Sequence, residues 1–162
     1  MVNSVLFVCL GNICRSPAAE GIVHKLSENS GLSLSFDSAG TSGWHTGEQP
    51  YAPMRAAALQ KGYDLSNLRA RLFKPEDFSK FDLILAMDND NLKQIEKQRP
   101  AGDDTPVQLF LDYAPDQPVR EMPDPYYTRT FNQVVELIEY AGNGLVSALR
   151  GVGGGASVAP AE

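Results

Sequence analysis

The sequence predicts a single-domain α/β protein, a three-layer sandwich in which helices cover both faces of a four-stranded parallel sheet. Short apolar segments of strand length alternate with helical patterns, as βαβ units require. A length of 162 residues suits one domain. No apolar run approaches the roughly 20 residues that a bilayer-spanning helix needs. Together these observations favour one α/β core with right-handed crossovers between its strands.

Four short apolar segments are the predicted strands. They cover residues 4–9, 33–38, 81–87 and 107–111. The first contains the uninterrupted run Val5-Leu6-Phe7-Val8, which is typical of a strand buried on both faces. Ligands of such folds bind beyond the carboxyl ends of the strands, so the residues after this run are the first place to look for a site.

Helical patterns follow the strands at residues 17–29, 53–62, 89–99 and 132–150. Pro17 opens the first pattern and Gly31 lies just beyond its end, which is the usual asymmetry of helix ends. Asp88 is the expected N-cap of the third helix. In the last and longest pattern, Gly142 and Gly144 are expected to bend or weaken the helix.

Two long segments, 39–53 and 112–131, hold most of the remaining proline, glycine and aromatic residues. Long loops in a small domain are usually functional or disordered. The domain is therefore predicted to span residues 1–150, and the Gly/Ala-rich segment 151–162 is predicted to be a disordered tail.

The net charge of −6 argues against a general attraction for nucleic acid or acidic membranes, and neither is expected as a partner. The chain has two cysteines, and its first residues lack the basic segment of an export signal. A reducing, cytoplasmic location is the expectation.

The most informative segment is Cys-Leu-Gly-Asn-Ile-Cys-Arg-Ser-Pro, residues 9–17, where the first strand meets the first helix. The first amides of a helix have no helical partner, and the helix dipole favours negative charge, so this junction is an anion site. The same field favours a cysteine thiolate, which is the reactive nucleophile. A nucleophile inside a phosphate cradle predicts phosphoryl transfer through a phosphocysteine on Cys9.

Each residue of this cradle has an expected task. Arg15 is suited to bind two phosphate oxygens at once, which lysine cannot do. Gly11 and Asn12 tolerate the positive φ that a tight loop requires, and the Ser16 hydroxyl can stabilise the thiolate. The amides that would surround the phosphate belong to Leu10, Gly11, Asn12, Ile13, Cys14 and Arg15.

The alternative interpretation makes Cys9 a small buried residue and Arg15 an ordinary surface residue, since cysteine and arginine at this spacing often occur by chance. The Gly-Asn pair, the following Ser-Pro and the strand–helix junction favour the functional interpretation.

The segment 9–17 closely resembles the active-site signature of the low-molecular-weight protein tyrosine phosphatases. The resemblance continues through Asp-Ser-Ala-Gly-Thr at 37–41, Met-Asp at 87–88 and Met-Pro-Asp-Pro-Tyr-Tyr at 122–127, and it covers residues 4 to about 150 in order. It implies hydrolysis of phosphotyrosine without a cofactor.

The reaction needs a proton donor for the leaving group and a base for the water, and one carboxyl group can serve as both. Composition alone favours a turn role for Asp124, because Asp-Pro is common in turns. The resemblance instead makes Asp124 the general acid and base. Capping and solvation are expected to account for the other acidic candidates, Asp37, Asp82 and Asp88, and for the loop pair Asp103-Asp104.

A phosphotyrosine site needs a deep slot with aromatic walls. The resemblance implies that Leu10, Trp44 and Tyr126 line this slot and that Tyr127 packs nearby. His45 is expected to be a solvated loop residue, with contact to the substrate as the alternative, and His24 is expected to be a surface residue. The two histidines lie far apart in sequence, so no metal site is predicted.

The resemblance also implies that Ser38 hydrogen-bonds the Asn12 side chain and so holds the cradle in shape. Relatives often carry a histidine where this chain has Leu68, a difference that is expected to affect stability more than chemistry.

Cys14 lies on the same loop as Cys9, and a reversible disulfide between them would protect Cys9 from irreversible oxidation. Cys14 is equally suited to pack beneath the cradle as a small apolar residue, and the two roles are compatible.

Two other functions remain open. Thioredoxin-coupled arsenate reductases share this cradle, but they need further cysteines that the chain lacks. A phosphotyrosine-binding module could dispense with Cys9 or Asp124, and both are present. The expected partners are phosphotyrosine proteins as substrates and inorganic phosphate as product and inhibitor, with the chain a monomer or weak dimer.

Overall fold

The computed structural model describes residues 1–151, and a four-stranded sheet forms its centre. The strands lie in the order β2-β1-β3-β4, and each neighbouring pair is parallel. The predicted four-stranded parallel sheet is therefore confirmed. In chain order the strands are β1 (Ser4–Cys9), β2 (Ser35–Gly40), β3 (Leu83–Ala86) and β4 (Val107–Leu109).

Six helices and one 3₁₀ turn, Phe110–Tyr113, accompany the sheet in the described part of the chain. The helices are α1 (Arg15–Asn29), α2 (Ala52–Gln60), α3 (Asp77–Lys80), α4 (Asn89–Glu96), α5 (Pro125–Thr128) and α6 (Phe131–Gly151). Gly151, predicted to begin a disordered tail, instead ends α6, and residues 152–162 lie outside the described residues.

The alternating side chains of β1 divide the core between two faces of the sheet. Val5 and Phe7 belong to a large cluster with apolar residues of α1, α2 and α6, whereas Leu6 and Val8 belong to a smaller one with residues of α3 and α4. These four side chains are fully buried. The three layers that the sequence predicts are therefore present, and β1 lies at their centre.

Parallel pairing brings the functional segments to one edge of the sheet. Cys9 at the end of β1 pairs with Gly40 at the end of β2. On the other side, Val8 pairs with Ala86, the last residue of β3, which places Asp88 just beyond the same edge.

The strand boundaries differ from the prediction where pairing, rather than apolar character, decides them. The second strand is shifted from 33–38 to Ser35–Gly40, because its register with β1 runs from Ser4↔Ser35 to Cys9↔Gly40. The third is shorter than 81–87, and the fourth passes into the 3₁₀ turn instead of continuing to residue 111.

Helix boundaries also differ. α1 begins at Arg15, two residues before Pro17; a proline in the first turn loses no helical hydrogen bond, so the helix can start ahead of it. α2 begins one residue earlier and ends two residues earlier than predicted, and α4 ends at Glu96 rather than 99. The one-turn helices α3 and α5 are too short for periodicity to indicate.

Gly142 and Gly144 do not interrupt the last helix, because both lie inside the continuous α6; their bending or weakening effect stays a prediction. A Cβ on Gly142 would lie 3.0 Å from side-chain atoms of Val23 and Leu26, and one on Gly144 would overlap the Tyr113 carbonyl. The glycines allow α6 to pack closely on α1 and on the 3₁₀ turn.

Candidate active site

The loop between β1 and α1 folds around the Cys9 sulfur. Asn12 adopts a left-handed conformation with φ 57°, and its backbone N–H donates to Cys9 Sγ at 3.2 Å. Cys9 is only 3% exposed. Gly11 and Asn12 were both expected to tolerate a positive φ, and of these two it is Asn12 that adopts one. Gly11 has a different task, because a Cβ there would approach the His45 ring at 3.3 Å.

Hydrogen bonds that join Asn12 to α1, to β2 and to the backbone of Arg71 fix this strained loop. Ser16 Oγ lies 3.0 Å from Cys9 Sγ, and Asn12 Nδ2 donates to Ser16 Oγ at 2.7 Å. The same amide nitrogen donates to Ser38 Oγ at 3.0 Å, so the structure brings Asn12 and Ser38 together. Asn12 Oδ1 accepts the backbone N–H of Arg71 at 2.9 Å. All polar atoms of the Asn12 side chain are thus engaged.

Arg15, 3% exposed, is held from the opposite side of the sheet edge. Its Nη1 donates to Asp88 Oδ2 at 2.8 Å and to the Met122 carbonyl at 3.0 Å, while Nη2 lies 3.4 Å from Asp124 Oδ2. Burial opposes the positive charge, but the charges of Cys9, Asp124 and Asp88 outweigh it and raise the pKa of Arg15 above its usual range. The guanidinium therefore stays charged and oriented.

Asp124 reaches the site because the loop before it is anchored to β3. The backbone N–H of Met122 donates to the Met87 carbonyl at 2.8 Å. Asp124 then caps α5, its Oδ1 accepting the Tyr126 N–H at 3.1 Å. Its Oδ2 remains near Arg15, and its side chain is 24% exposed. The carboxylate is both held and open to the cavity.

A cavity of about 260 Å³ opens at this edge of the sheet. The residues predicted to form the slot, Leu10, Trp44, Tyr126 and Tyr127, all lie on it. Trp44 and Tyr127 are 84% and 71% exposed, so they form its outer rim. The other lining residues are Cys9, Gly11, Ile13, Cys14, Arg15, Ser42, His45 and Asp124.

His45 differs from the expectation of a solvated loop residue. Its ring lies on the cavity wall beside Gly11, and Nδ1 lies 3.0 Å from Glu48 Oε1. His24 is exposed as expected and lies beside Glu28. Leu68 packs against the main core.

Cys14 is buried beside the cradle and is not bonded to Cys9, so both cysteines are free. Burial raises the pKa of the Cys14 thiol to about 12, and the charges of Cys9 and Asp124 add to this effect. Cys14 is therefore a neutral thiol at physiological pH. The disulfide with Cys9 stays a prediction.

Two contacts of the site were not found from the sequence. Asp88 caps α4 through the Asn91 N–H, as predicted, but it also binds Arg15. Glu20 accepts a hydrogen bond from Ser38 Oγ at 2.7 Å. The position of Asp88 at the end of a strand could have indicated the first contact; an acidic residue in the middle of a helix gives no such signal.

Among residues 1–151, no group of three or more metal-binding side chains lies together, and no helix is long and apolar enough to cross a bilayer. The cavity thus carries a thiol held by a backbone amide, a buried guanidinium and a carboxylate. This is the combination that the class of cysteine-dependent phosphatases requires. Comparison with known proteins agrees with this class.

The family model described as low molecular weight phosphotyrosine protein phosphatase matches residues 4–152, and the chain belongs to this family. The Synechocystis sp. protein slr0328, whose name assigns it to the low molecular weight protein-tyrosine-phosphatases, is 47% identical over 150 residues, covering 90% of this chain and 95% of the relative.

Two solved structures are similar throughout. YfkJ from Bacillus subtilis has a TM-score of 0.88 and 36% identity, covering 93% of this chain and 96% of its own. The protein tyrosine phosphatase of Entamoeba histolytica has a TM-score of 0.86 and 37% identity, covering 92% and 97%.

Proposed function

We propose that the chain hydrolyses phosphotyrosine through a phosphocysteine on Cys9. The observation that carries the proposal is the placement of the Cys9 sulfur, which accepts the Asn12 amide and lies beside the Ser16 hydroxyl in the same cavity as Arg15 and Asp124. Such groups stabilise a thiolate and the charge that develops on a transferring phosphoryl group.

In the first step, the Cys9 thiolate attacks phosphorus, an S–P bond forms and the bond from phosphorus to the tyrosine oxygen breaks. Asp124 gives its proton to that oxygen, so tyrosine leaves neutral. Arg15 binds two of the three equatorial oxygens of the phosphoryl group, and the loop amides of residues 10–15 surround all three. Asp88 keeps the guanidinium in position for this contact.

In the second step, water attacks phosphorus and gives its proton to Asp124. The S–P bond breaks, and the electrons return to sulfur. The Ser16 hydroxyl, 3.0 Å away, stabilises the thiolate as it leaves. The products are inorganic phosphate and the starting enzyme, so phosphate is expected to inhibit by binding the same cradle.

The aromatic walls favour an aryl ester. Tyr126 packs against Tyr51 in a tilted arrangement, with ring centroids 5.1 Å apart, and meets Tyr127 edge to face. These contacts stiffen one side of the slot. Trp44 and Leu10 line the same cavity. We propose that the phosphotyrosine ring lies between these groups and that the enzyme acts in the cytoplasm as a monomer or weak dimer on phosphotyrosine proteins.

Hydrolysis of p-nitrophenyl phosphate, with and without a chelator, tests this function. We expect activity that survives the chelator and disappears in Cys9→Ser. Activity that persists in Cys9→Ser would contradict the mechanism. Binding of a phosphotyrosine peptide without turnover would instead support the binding-module alternative, and arsenate-dependent oxidation of thioredoxin would support the reductase.

A further inference from the structure

A continuous line of hydrogen bonds joins the Cys9 sulfur to the carboxyl group of Glu20 on α1. Ser16 Oγ lies 3.0 Å from the sulfur, and Asn12 Nδ2 binds Ser16 Oγ at 2.7 Å and Ser38 Oγ at 3.0 Å. Ser38 Oγ then donates to Glu20 Oε1 at 2.7 Å. The first four groups are buried and Glu20, at the far end, is half-buried.

The donors along this line can be assigned. The Arg71 N–H donates to Asn12 Oδ1, so the Asn12 amide must present its NH₂ group to the two serines. Each serine oxygen accepts one of these N–H groups and directs its own proton away from Asn12. Ser16 then has two acceptors for its proton, the Cys9 sulfur at 3.0 Å and the Ala39 carbonyl at 3.5 Å, and a Cys9 thiolate favours the sulfur. The Ser38 proton points to Glu20, so an ionised Glu20 satisfies every group.

Glu20 has little support for its negative charge. The charged groups that face it are Asp37 on β2 and Arg71 before α3. Arg71 Nη2 is already shared between Asp37 Oδ2 at 3.0 Å and Asp77 Oδ1 at 3.1 Å. Burial, and then the Asp37 charge, raise the pKa of Glu20 to about 7, although Ser38 and Arg71 oppose the shift.

Among the described residues, Glu20 forms no ion pair. His24, one turn further along α1, pairs with Glu28 instead. Within residues 1–151, no ion pair therefore offsets the burial that raises the pKa of Glu20.

We propose that Glu20 is a positioning residue for catalysis: its carboxylate fixes the Ser38 hydroxyl, and through Asn12 and Ser16 it holds the cradle around Cys9. A protonated Glu20 keeps one oxygen that accepts from Ser38, but this neutral hydrogen bond is weaker than the charge-assisted one to the carboxylate, so the Ser38 hydroxyl is less firmly oriented. The Asn12–Ser38 bond weakens, and Asn12 is less well held in its left-handed conformation. This inference rests on the proposed hydrolysis.

The test compares the pH dependence of kcat/KM for the wild type, Glu20→Gln and the control Glu28→Gln, an exposed glutamate on the same helix. Glutamine imitates the protonated acid, so the ratio of wild type to Glu20→Gln should be near one at about pH 5. It should rise to about fivefold at about pH 9, with a midpoint near 7, as expected when one hydrogen bond loses its charge assistance. The ratio to Glu28→Gln should stay flat. Ionisation of the substrate cancels in both ratios.

A second readout does not depend on turnover. The side-chain amide signals of Asn12 in a ¹⁵N NMR titration should shift with the same midpoint in the wild type and not in Glu20→Gln. Ser38→Ala interrupts the line of hydrogen bonds, so it should also abolish the NMR shift and flatten the pH profile of kcat/KM. It replaces Glu20→Gln in the test if Glu20→Gln does not fold.

The outcomes are distinct. A flat or falling ratio, or an Asn12 signal that titrates equally in Glu20→Gln, would overturn the role of Glu20 while leaving hydrolysis intact. A wild type that shows the NMR titration but no hydrolysis would support the coupling to Asn12 and overturn the proposed function, and with it the catalytic role of Glu20.

Discussion

Replacing Asp88 by asparagine separates two contacts that one carboxylate makes. Asp88 Oδ1 caps α4 by accepting the Asn91 N–H at 2.8 Å, and Oδ2 accepts from Arg15 Nη1 at 2.8 Å. Asparagine caps helices about as well as aspartate, so its oxygen can keep the cap. Its NH₂ group would then face the guanidinium, which has no acceptor. Asp88→Asn therefore removes support from Arg15 and leaves α4 in place.

The size of the effect follows from the geometry. A hydrogen bond to a charged group contributes about 1.5–3 kcal/mol. The Asp88 side chain is 22% exposed, and Arg15 retains the Met122 carbonyl and Asp124, so we expect the lower end of this range. Because about 1.4 kcal/mol is a factor of ten, kcat/KM for p-nitrophenyl phosphate should fall about tenfold.

Asp88→Ala is the matched control, because it removes both contacts. Its kcat/KM should match that of Asp88→Asn, whereas urea unfolding should show a further loss of about 1 kcal/mol from the missing cap. Wild-type activity in Asp88→Asn would refute the dependence of Arg15 on Asp88. If kcat/KM of the two variants instead decreases in proportion to their free energy of unfolding, the loss of activity reflects impaired folding and not a misplaced Arg15.

The other substitutions test separate groups. Arg15→Lys keeps the charge but loses the bidentate geometry, and steady-state kinetics should show kcat lower by about 10²–10³; a near-native rate would exclude the clamp. Asp124→Asn should slow esters of weakly acidic phenols most, so equal slowing across a series of phenols would argue against a proton donor. Cys14→Ser should recover less activity than the wild type after peroxide and thiol treatment, and equal recovery would exclude protection. Glu20→Gln should gain stability relative to the wild type as pH rises through about 7. Because the pKa of Glu20 is raised from 4.5 to about 7 on folding, its protonation stabilises the folded wild type fully below pH 4.5, and this contribution is lost as the pH rises from 4.5 to 7; urea titrations at several pH values measure this.

The sequence was sufficient for the parts of the molecule that depend on local chemistry. The strand–helix junction at Cys9, the parallel sheet and the cap at Asp88 each follow from residues close together in the chain. Strand boundaries that depend on pairing with distant residues were harder to predict. For example, β2 extends to Gly40 because it pairs with β1 as far as Cys9. The close packing at Gly142 and Gly144 could not be predicted for the same reason, since their neighbours belong to α1 and to the 3₁₀ turn.

The candidate site shows the same division. The residues on its cavity wall were largely indicated by motifs, whereas the contacts that orient them were not. The hydrogen bonds that join Asp88 to Arg15 and Glu20 to Ser38 span 73 and 18 positions of sequence. The pairing of β1 with β3 brings the first pair together, and the packing of α1 against β2 brings the second. His45 reaches the wall because Gly11 leaves room for its ring.

Trapping the covalent intermediate tests the central mechanism most directly. Rapid acid quenching during turnover, followed by mass analysis of the peptides, should find phosphate on the peptide that contains Cys9 and on no other, and Cys9→Ser should yield none. Turnover at the wild-type rate with no phosphate on Cys9 at any time, or with phosphate on another residue, would contradict the account.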